Sequence, residues 1–120
     1  MDQADFATLR QHIARAIEAD LAREEAEAEA LKARLLPRLQ EAVVHARREQ
    51  LCGRAWLFGS FAWGRPTESS DVDVLAEACP DPDALTAVLW RALDRAVHVV
   101  RAETAPSSLV QRACAEGQAL

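Results

Sequence analysis

The sequence predicts an α/β (α+β) protein: a small three-stranded sheet with flanking helices, preceded by a long N-terminal helix or helical hairpin. Three observations carry this. Residues 3–51 are nearly all strong helix formers and hold two apolar stripes at helical spacing. Three short apolar runs, Ala55-Trp56-Leu57-Phe58, Val72-Asp73-Val74-Leu75 and Ala96-Val97-His98-Val99-Val100, have the length and composition of strands. Between and after the runs stand helix-start signals, Asp81-Pro82 and Pro106 ahead of Ser107.

In chain order, the first stripe is Leu9, Ile13, Ile17 and Leu21, and the second is Leu31, Leu35, Leu39 and Val43. The stretch Ala22 to Ala30 between them has charges and alanines but no large apolar side chain, so it reads as a solvated helix or one packed only through alanine. Pro37 either kinks one long helix or starts a second. Gln50 to Gly53 is the candidate boundary, dividing an N-terminal helical segment (1–51) from a second unit (52–120).

After the first strand, Gly59-Ser60 leads into Phe61-Ala62-Trp63, a single helical turn that Gly64 stops. Arg65 to Ser70 is rich in turn residues and reads as an exposed loop. Alternation along the next strand puts Asp71 and Asp73 on one face and Val72 and Val74 on the other. The helix opened by Asp81-Pro82 carries Leu85, Val88, Leu89 and Leu93 on one side, with Trp90 available to the same face. The last helix runs from about Ser107 to Glu116, turns Leu109, Val110 and Ala113 inward, and ends at Gly117. So small a sheet buries little alone, so the N-terminal helices or a partner must cover one face.

Composition narrows the function. A net charge of −5 argues against a nonspecific nucleic-acid binder, which needs a basic surface. No run approaches a membrane span, and no signal peptide precedes the first helix, so the expectation is a cytoplasmic protein. Cys52, Cys79 and Cys114 are odd in number and far apart. They form neither a disulfide framework nor a zinc pattern and read as reduced thiols serving as small apolar filler.

Chemistry concentrates at residues 57–75. Two carboxylates two apart on a strand point the same way and suit a hard cation, and Mg²⁺ commonly takes one or two carboxylates plus substrate phosphates. Gly59 lets a phosphate approach the backbone, and Ser60 opens a turn whose free amides and hydroxyl favour an anion. Arg65 follows that turn and is the best-placed phosphate partner; Arg54 and Lys32 are weaker ones. Trp56, Phe58 and Phe61 read as core, Trp63 as a residue near the site, and His12 and His45 as surface residues.

Gly59-Ser60, ten residues, then Asp71-x-Asp73 resembles the signature of the minimal nucleotidyltransferases of the DNA polymerase beta-like superfamily. Phe58 before Gly59, Gly64 closing the turn and Ser70 before Asp71 extend the resemblance, which covers about Arg54 to Leu120. It implies a small mixed three-stranded nucleotidyltransferase sheet with Asp71 and Asp73 as catalytic residues and ligands of Mg²⁺ (or Mn²⁺). Gly59, Ser60, Arg65 and Ser70 would meet ATP or another nucleoside triphosphate. The implied reaction is transfer of an adenylyl group to a hydroxyl. Small members of the resembled family often act as antitoxins that modify a tyrosine of a HEPN-type ribonuclease toxin, so such a toxin is the expected partner. The N-terminal helices are also available for oligomerisation.

The chain departs from the resembled pattern at one place. A third acidic residue usually stands on the third strand, and here His98 replaces it. Glu103 and Glu77 lie off the matching position. Imidazole suits Mg²⁺ poorly, so a second cation loses a hard ligand, although His98 could instead serve as a general base. Two alternatives therefore stand beside the enzyme: a catalytically weakened nucleotide-binding module that neutralises its partner by contact, and a small-molecule adenylyltransferase. The last usually has an added helical domain, for which this chain ends too early.

Overall fold

The computed structural model describes residues 3–120. Its elements are α1 (Gln3–Arg48), β1 (Ala55–Phe58), α2 (Ser60–Trp63), β2 (Val72–Ala76), α3 (Pro82–Leu93), β3 (Val97–Arg101), α4 (Ser107–Glu116) and β4 (Gln118–Ala119). The sheet order is β3-β2-β1-β4. β1 pairs antiparallel with β2 and β4, while β2 and β3 are parallel. That parallel pair needs a crossover, which α3 provides.

The N-terminal segment is one continuous helix rather than a hairpin. At about 1.5 Å per residue its 46 residues span roughly 69 Å. This sets the longest dimension of a molecule measuring 69 × 29 × 18 Å. Pro37 lies inside the helix without ending it. Both Pro37 and Ala33, whose carbonyl loses its helical donor, are exposed, so water can satisfy that oxygen.

The two stripes meet different fates. Leu31, Leu35, Leu39, Ala42, Val43 and Ala46 of α1 are buried against the sheet and α3. From α3 come Leu85, Leu89 and Leu93, and from the sheet Leu57, Val72, Val74, Ala76 and Val97. Burying each large aliphatic side chain contributes about 1.5–3 kcal/mol, enough together to dock the second half of α1. Packing thus crosses the turn at residues 49–53, and the sheet shares its core with α1. Every residue from 3 to 27 is exposed, including the whole first stripe.

The opposite face of the sheet carries Trp56, Phe58 and Leu75, covered by Ala113, Leu109 and Val110 of α4. β4 is a fourth strand beyond the three expected. Two residues are too few to show a pattern, and it forms because the chain turns back at Gly117 along β1, where Leu120 N donates to Ala55 O at 2.9 Å. Trp90 stands 51% exposed, because the buried line of α3 steps through Leu85, Leu89 and Leu93 and turns Trp90 outward. Cys52 and Cys79 are buried filler, but Cys114 is exposed, on the outer side of α4 from Ala113. His12 and His45 are exposed as expected. No helix is long and apolar enough to cross a membrane among the described residues.

Candidate functional site

Strand register builds the site. Asp73 sits on β2 directly between Phe58 of β1 and His98 of β3. Residues paired across strands share a face, so Asp73 and His98 lie on the α4 side of the sheet, beyond the part that α4 covers. Val72 and Val74 are fully buried on the other side, as the alternation requires. Gly59 immediately follows Phe58 and therefore lies beside Asp73.

Gly59 has φ 74° and ψ −150°, a region essentially reserved for glycine. A β-carbon there would collide with the Asp73 carboxylate, so this acid is packed against the backbone of the turn. The Asp73 side chain is 26% exposed. Asp71 precedes the strand and is exposed. Burial pushes the Asp73 carboxyl above its ordinary range; His98 pulls it back down, and the Asp71 charge adds a smaller upward push. His98 Nδ1 stands 3.5 Å from Asp73 Oδ1, with the imidazole 68% exposed.

Ser60 opens α2. Ala62 N and Trp63 N both donate to Gly59 O at 3.0 Å, and Gly64 N donates to Ser60 O at 3.1 Å. Among the described residues the Ser60 hydroxyl and the Ser60 and Phe61 amides have no partner. Gly64 closes the turn, since a β-carbon there would come within 2.9 Å of Ser60 Cα.

Gly59, Ser60, Asp73 and His98 thus come together, with Asp71 at the edge. The other sequence candidates are engaged elsewhere. Arg65 pairs with Glu25 of α1 at 2.5 Å, on the α1 side of the turn. The Ser70 hydroxyl accepts from Thr67 N at 2.8 Å and closes the loop on itself. Lys32 pairs with Glu29 at 3.5 Å, and Arg54 with Glu77 at 2.9 Å. Glu103 accepts from Ala78 N at 2.7 Å, and that bond holds its carboxyl below the usual range. Neither Glu77 nor Glu103 stands in for the third acid. Trp63 is held between the Phe58 ring (centroids 6.2 Å apart) and the Arg112 guanidinium (4.0 Å from its ring), and packs against the cluster of Trp56, Phe58, Leu75 and Ala113.

Arg95 is the residue that sequence reasoning missed. Its Nη1 donates to the carbonyls of Thr67 at 3.2 Å, Glu68 at 2.6 Å and Ser70 at 3.0 Å, and its Nη2 to Glu68 Oε2 at 3.0 Å. The guanidinium also lies 5.4 Å from the Phe61 ring. One side chain therefore fixes the loop that delivers Asp71 and braces the turn that carries Ser60. The available signal was an arginine at the end of a helix, which is too common to single out.

No protein-family model matches the sequence, and no curated protein matches it. Solved structures do. A candidate minimal nucleotidyltransferase superposes with TM-score 0.61 and 25% identity, over 78% of this chain and 96% of that one. A Tyr→Ala variant of the toxin-antitoxin MntA-HpeT gives TM-score 0.53 and 26% identity over 68% and 70%. A toxin-antitoxin with AMP-PNP gives TM-score 0.55 and 24% identity over 66% and 69%. The mixed sheet, its flanking helices and these likenesses agree, and the fold of this chain is that of the minimal nucleotidyltransferases.

Proposed function

We propose that the chain is a nucleotidyltransferase that moves an adenylyl group from ATP to a hydroxyl, a tyrosine of a partner protein, and acts as antitoxin to a HEPN-type ribonuclease toxin. The observation that carries the reading is the placement of the Asp73 carboxylate against the positive-φ turn at Gly59, beside unpartnered amides. The toxin-antitoxin assemblies that share the fold, one of them solved with AMP-PNP, support the nucleotide and the partner.

The donor set fits a cation that arrives with its nucleotide. Among the described residues no group of three or more His, Cys, Asp or Glu side chains is placed to hold a metal. Asp71 and Asp73 would supply two carboxylate oxygens, and phosphate oxygens the remainder, which is the usual Mg²⁺ arrangement. Bound there, Mg²⁺ would neutralise phosphate charge. The protein's own part is to seat the phosphates on the Gly59-Ser60 backbone, to hold Asp73 rigidly against that backbone, and to set His98 where the acceptor hydroxyl would enter. The open end of the sheet leaves room for an acceptor carried by another protein.

His98 favours a second reading. An imidazole at the position of the third carboxylate retains nucleotide binding but weakens transfer, which leaves a module that neutralises its partner by contact. Labelled ATP with Mg²⁺ or Mn²⁺ and the co-encoded partner decides between the two. Label on the partner supports transfer, and a stable unlabelled complex supports the module. Both require thermal stabilisation by a triphosphate, about 2.7 kcal/mol at a hundredfold excess over Kd, that Asp71→Ala abolishes. If no triphosphate stabilises the wild-type chain, both readings fail.

A further inference from the structure

Phe6, Leu9, Ile13, Ile17 and Leu21 are 44–53% exposed and stand along one side of the projecting half of α1. At 100° per residue they continue the face that Ala28, Leu31, Leu35 and Leu39 bury in the docked half, so one apolar face runs along the helix and is covered for only half its length. A monomer rarely leaves so long a stripe open. The charge distribution says what covers it. Beside the stripe, residues 3–17 present Arg10, whereas residues 18–29 present Asp20, Glu24 and Glu27; Arg15 lies on the opposite side of the helix. A parallel pair of such helices would set the acidic halves against each other. An antiparallel pair sets Arg10 of each copy against the acidic stretch of the other and keeps the two acidic stretches apart.

We propose that α1 is the dimerisation element of this chain, and that the projecting halves of two copies pair antiparallel about a two-fold axis between Ile13 and Ile17. In this register Ile13 faces Ile17 of the second copy, Leu9 faces Leu21, and Arg10 faces Asp20. Phe6 then reaches Glu24 and Glu27 of the second copy. These residues border a cavity of about 680 Å³ with Leu31, Arg34 and Pro66, which is ample for one phenyl ring and has an apolar floor. The cavity lies between α1 and the loop at residues 65–68, so the end of the second copy's helix would rest against the segment that leads to Asp71. Five large side chains, each about half exposed, present on the order of 450 Å² of apolar surface per copy. Two copies with their flanking alanines reach the roughly 1,000 Å² that a specific interface requires.

Sedimentation equilibrium of the full chain at tens of micromolar tests the proposal. The expected wild-type mass is that of two chains. Ile13→Asp with Ile17→Asp raises the dimer Kd at least about 100-fold and gives a monomer. These side chains are exposed in the single chain, so the sheet stays folded, as thermal unfolding checks. Arg10→Glu weakens the dimer, and Arg10→Glu with Asp20→Arg restores it, because the swap rebuilds both symmetric contacts. Phe6→Ala weakens it without charge dependence. A wild-type monomer overturns the proposal, as does mass that rises only when another protein is added. Failure of the charge swap to restore the dimer overturns the antiparallel arrangement.

Discussion

Gly59→Ala is the substitution that probes the site most directly. Holding alanine at φ 74°, ψ −150° costs about 1–3 kcal/mol in backbone strain alone. The added β-carbon also meets the Asp73 carboxylate, so the acid must swing aside or the turn must open. These two costs separate in a double-mutant cycle. In an Asp73→Ala background the colliding carboxylate is gone and the remaining Asp73 neighbour, its Cβ, lies at an ordinary 3.4 Å, so only the strain persists. The cycle should therefore show a coupling of about 0.5–3 kcal/mol, the range found for residues in contact. Urea titration followed by circular dichroism measures it; for a chain of this size each kcal/mol corresponds to about 4 °C in Tm. The same variant should lose nucleotide-induced stabilisation, because Asp73 no longer lies against the turn. Strictly additive single effects would mean that the carboxylate is not packed on Gly59, and the proposed site would lose its foundation.

Four other outcomes are expected. His98→Asp should enlarge the stabilisation by Mg²⁺ and ATP and raise any transfer to a partner; an unchanged response would show that position 98 does not limit the site. Arg95→Ala breaks four hydrogen bonds to residues 67–70 and should cost about 2–4 kcal/mol. It should also expose the loop to proteolysis, and a loop that stays protected would refute its bracing role. Of the three thiols only Cys114 should react rapidly with a thiol reagent at neutral pH, since burial raises the pKa of Cys52 and Cys79; fast labelling of all three would contradict the packing. Asp73→Asn should stabilise the unliganded fold at neutral pH. Burial raises the folded-state pKa of Asp73 above its unfolded value, so its ionisation opposes folding above that folded pKa. The advantage of asparagine should shrink as pH falls through the folded pKa towards the unfolded one, and a pH-independent gap between the two proteins would refute the assignment.

Much of this fold was legible because its signals are local. Helix formers set α1, alternation set the faces of β2, and Asp81 caps α3 as its sequence suggests, accepting from Ala84 N at 3.1 Å. Three features were hidden, each for a physical reason. β4 exists only because α4 returns the chain to β1, a tertiary circumstance that two residues cannot encode. The single long helix, as opposed to a hairpin, depends on Pro37 falling on the exposed side, which is known only once the docked side is known. Within the site, the Gly59, Ser60, Asp71 and Asp73 spacing could be read directly, but partners could not. Arg65 has a free-standing charge in sequence and finds Glu25 forty positions away, while Arg95 finds carbonyl oxygens, which leave no mark in a sequence.

The position of His98 follows from the same electrostatics that would make the site work. Asp73 lies at the centre of the sheet order, with Gly59 on one side and residue 98 on the other. α4 shields the far end of this face and leaves the acidic end to solvent, so cations can reach it. A third carboxylate at position 98 would face an acid whose ionisation burial already opposes and which Asp71 opposes further. Without a cation that arrangement destabilises the fold. An exposed imidazole 3.5 Å from Asp73 eases it instead, and does so without burying a charge of its own. The residue that improves the unliganded sheet is thus the one that supplies no hard oxygen to a metal. His98→Asp should therefore lower the Tm of the free protein while increasing its response to Mg²⁺ and nucleotide, and a variant that moved both in the same direction would refute this opposition.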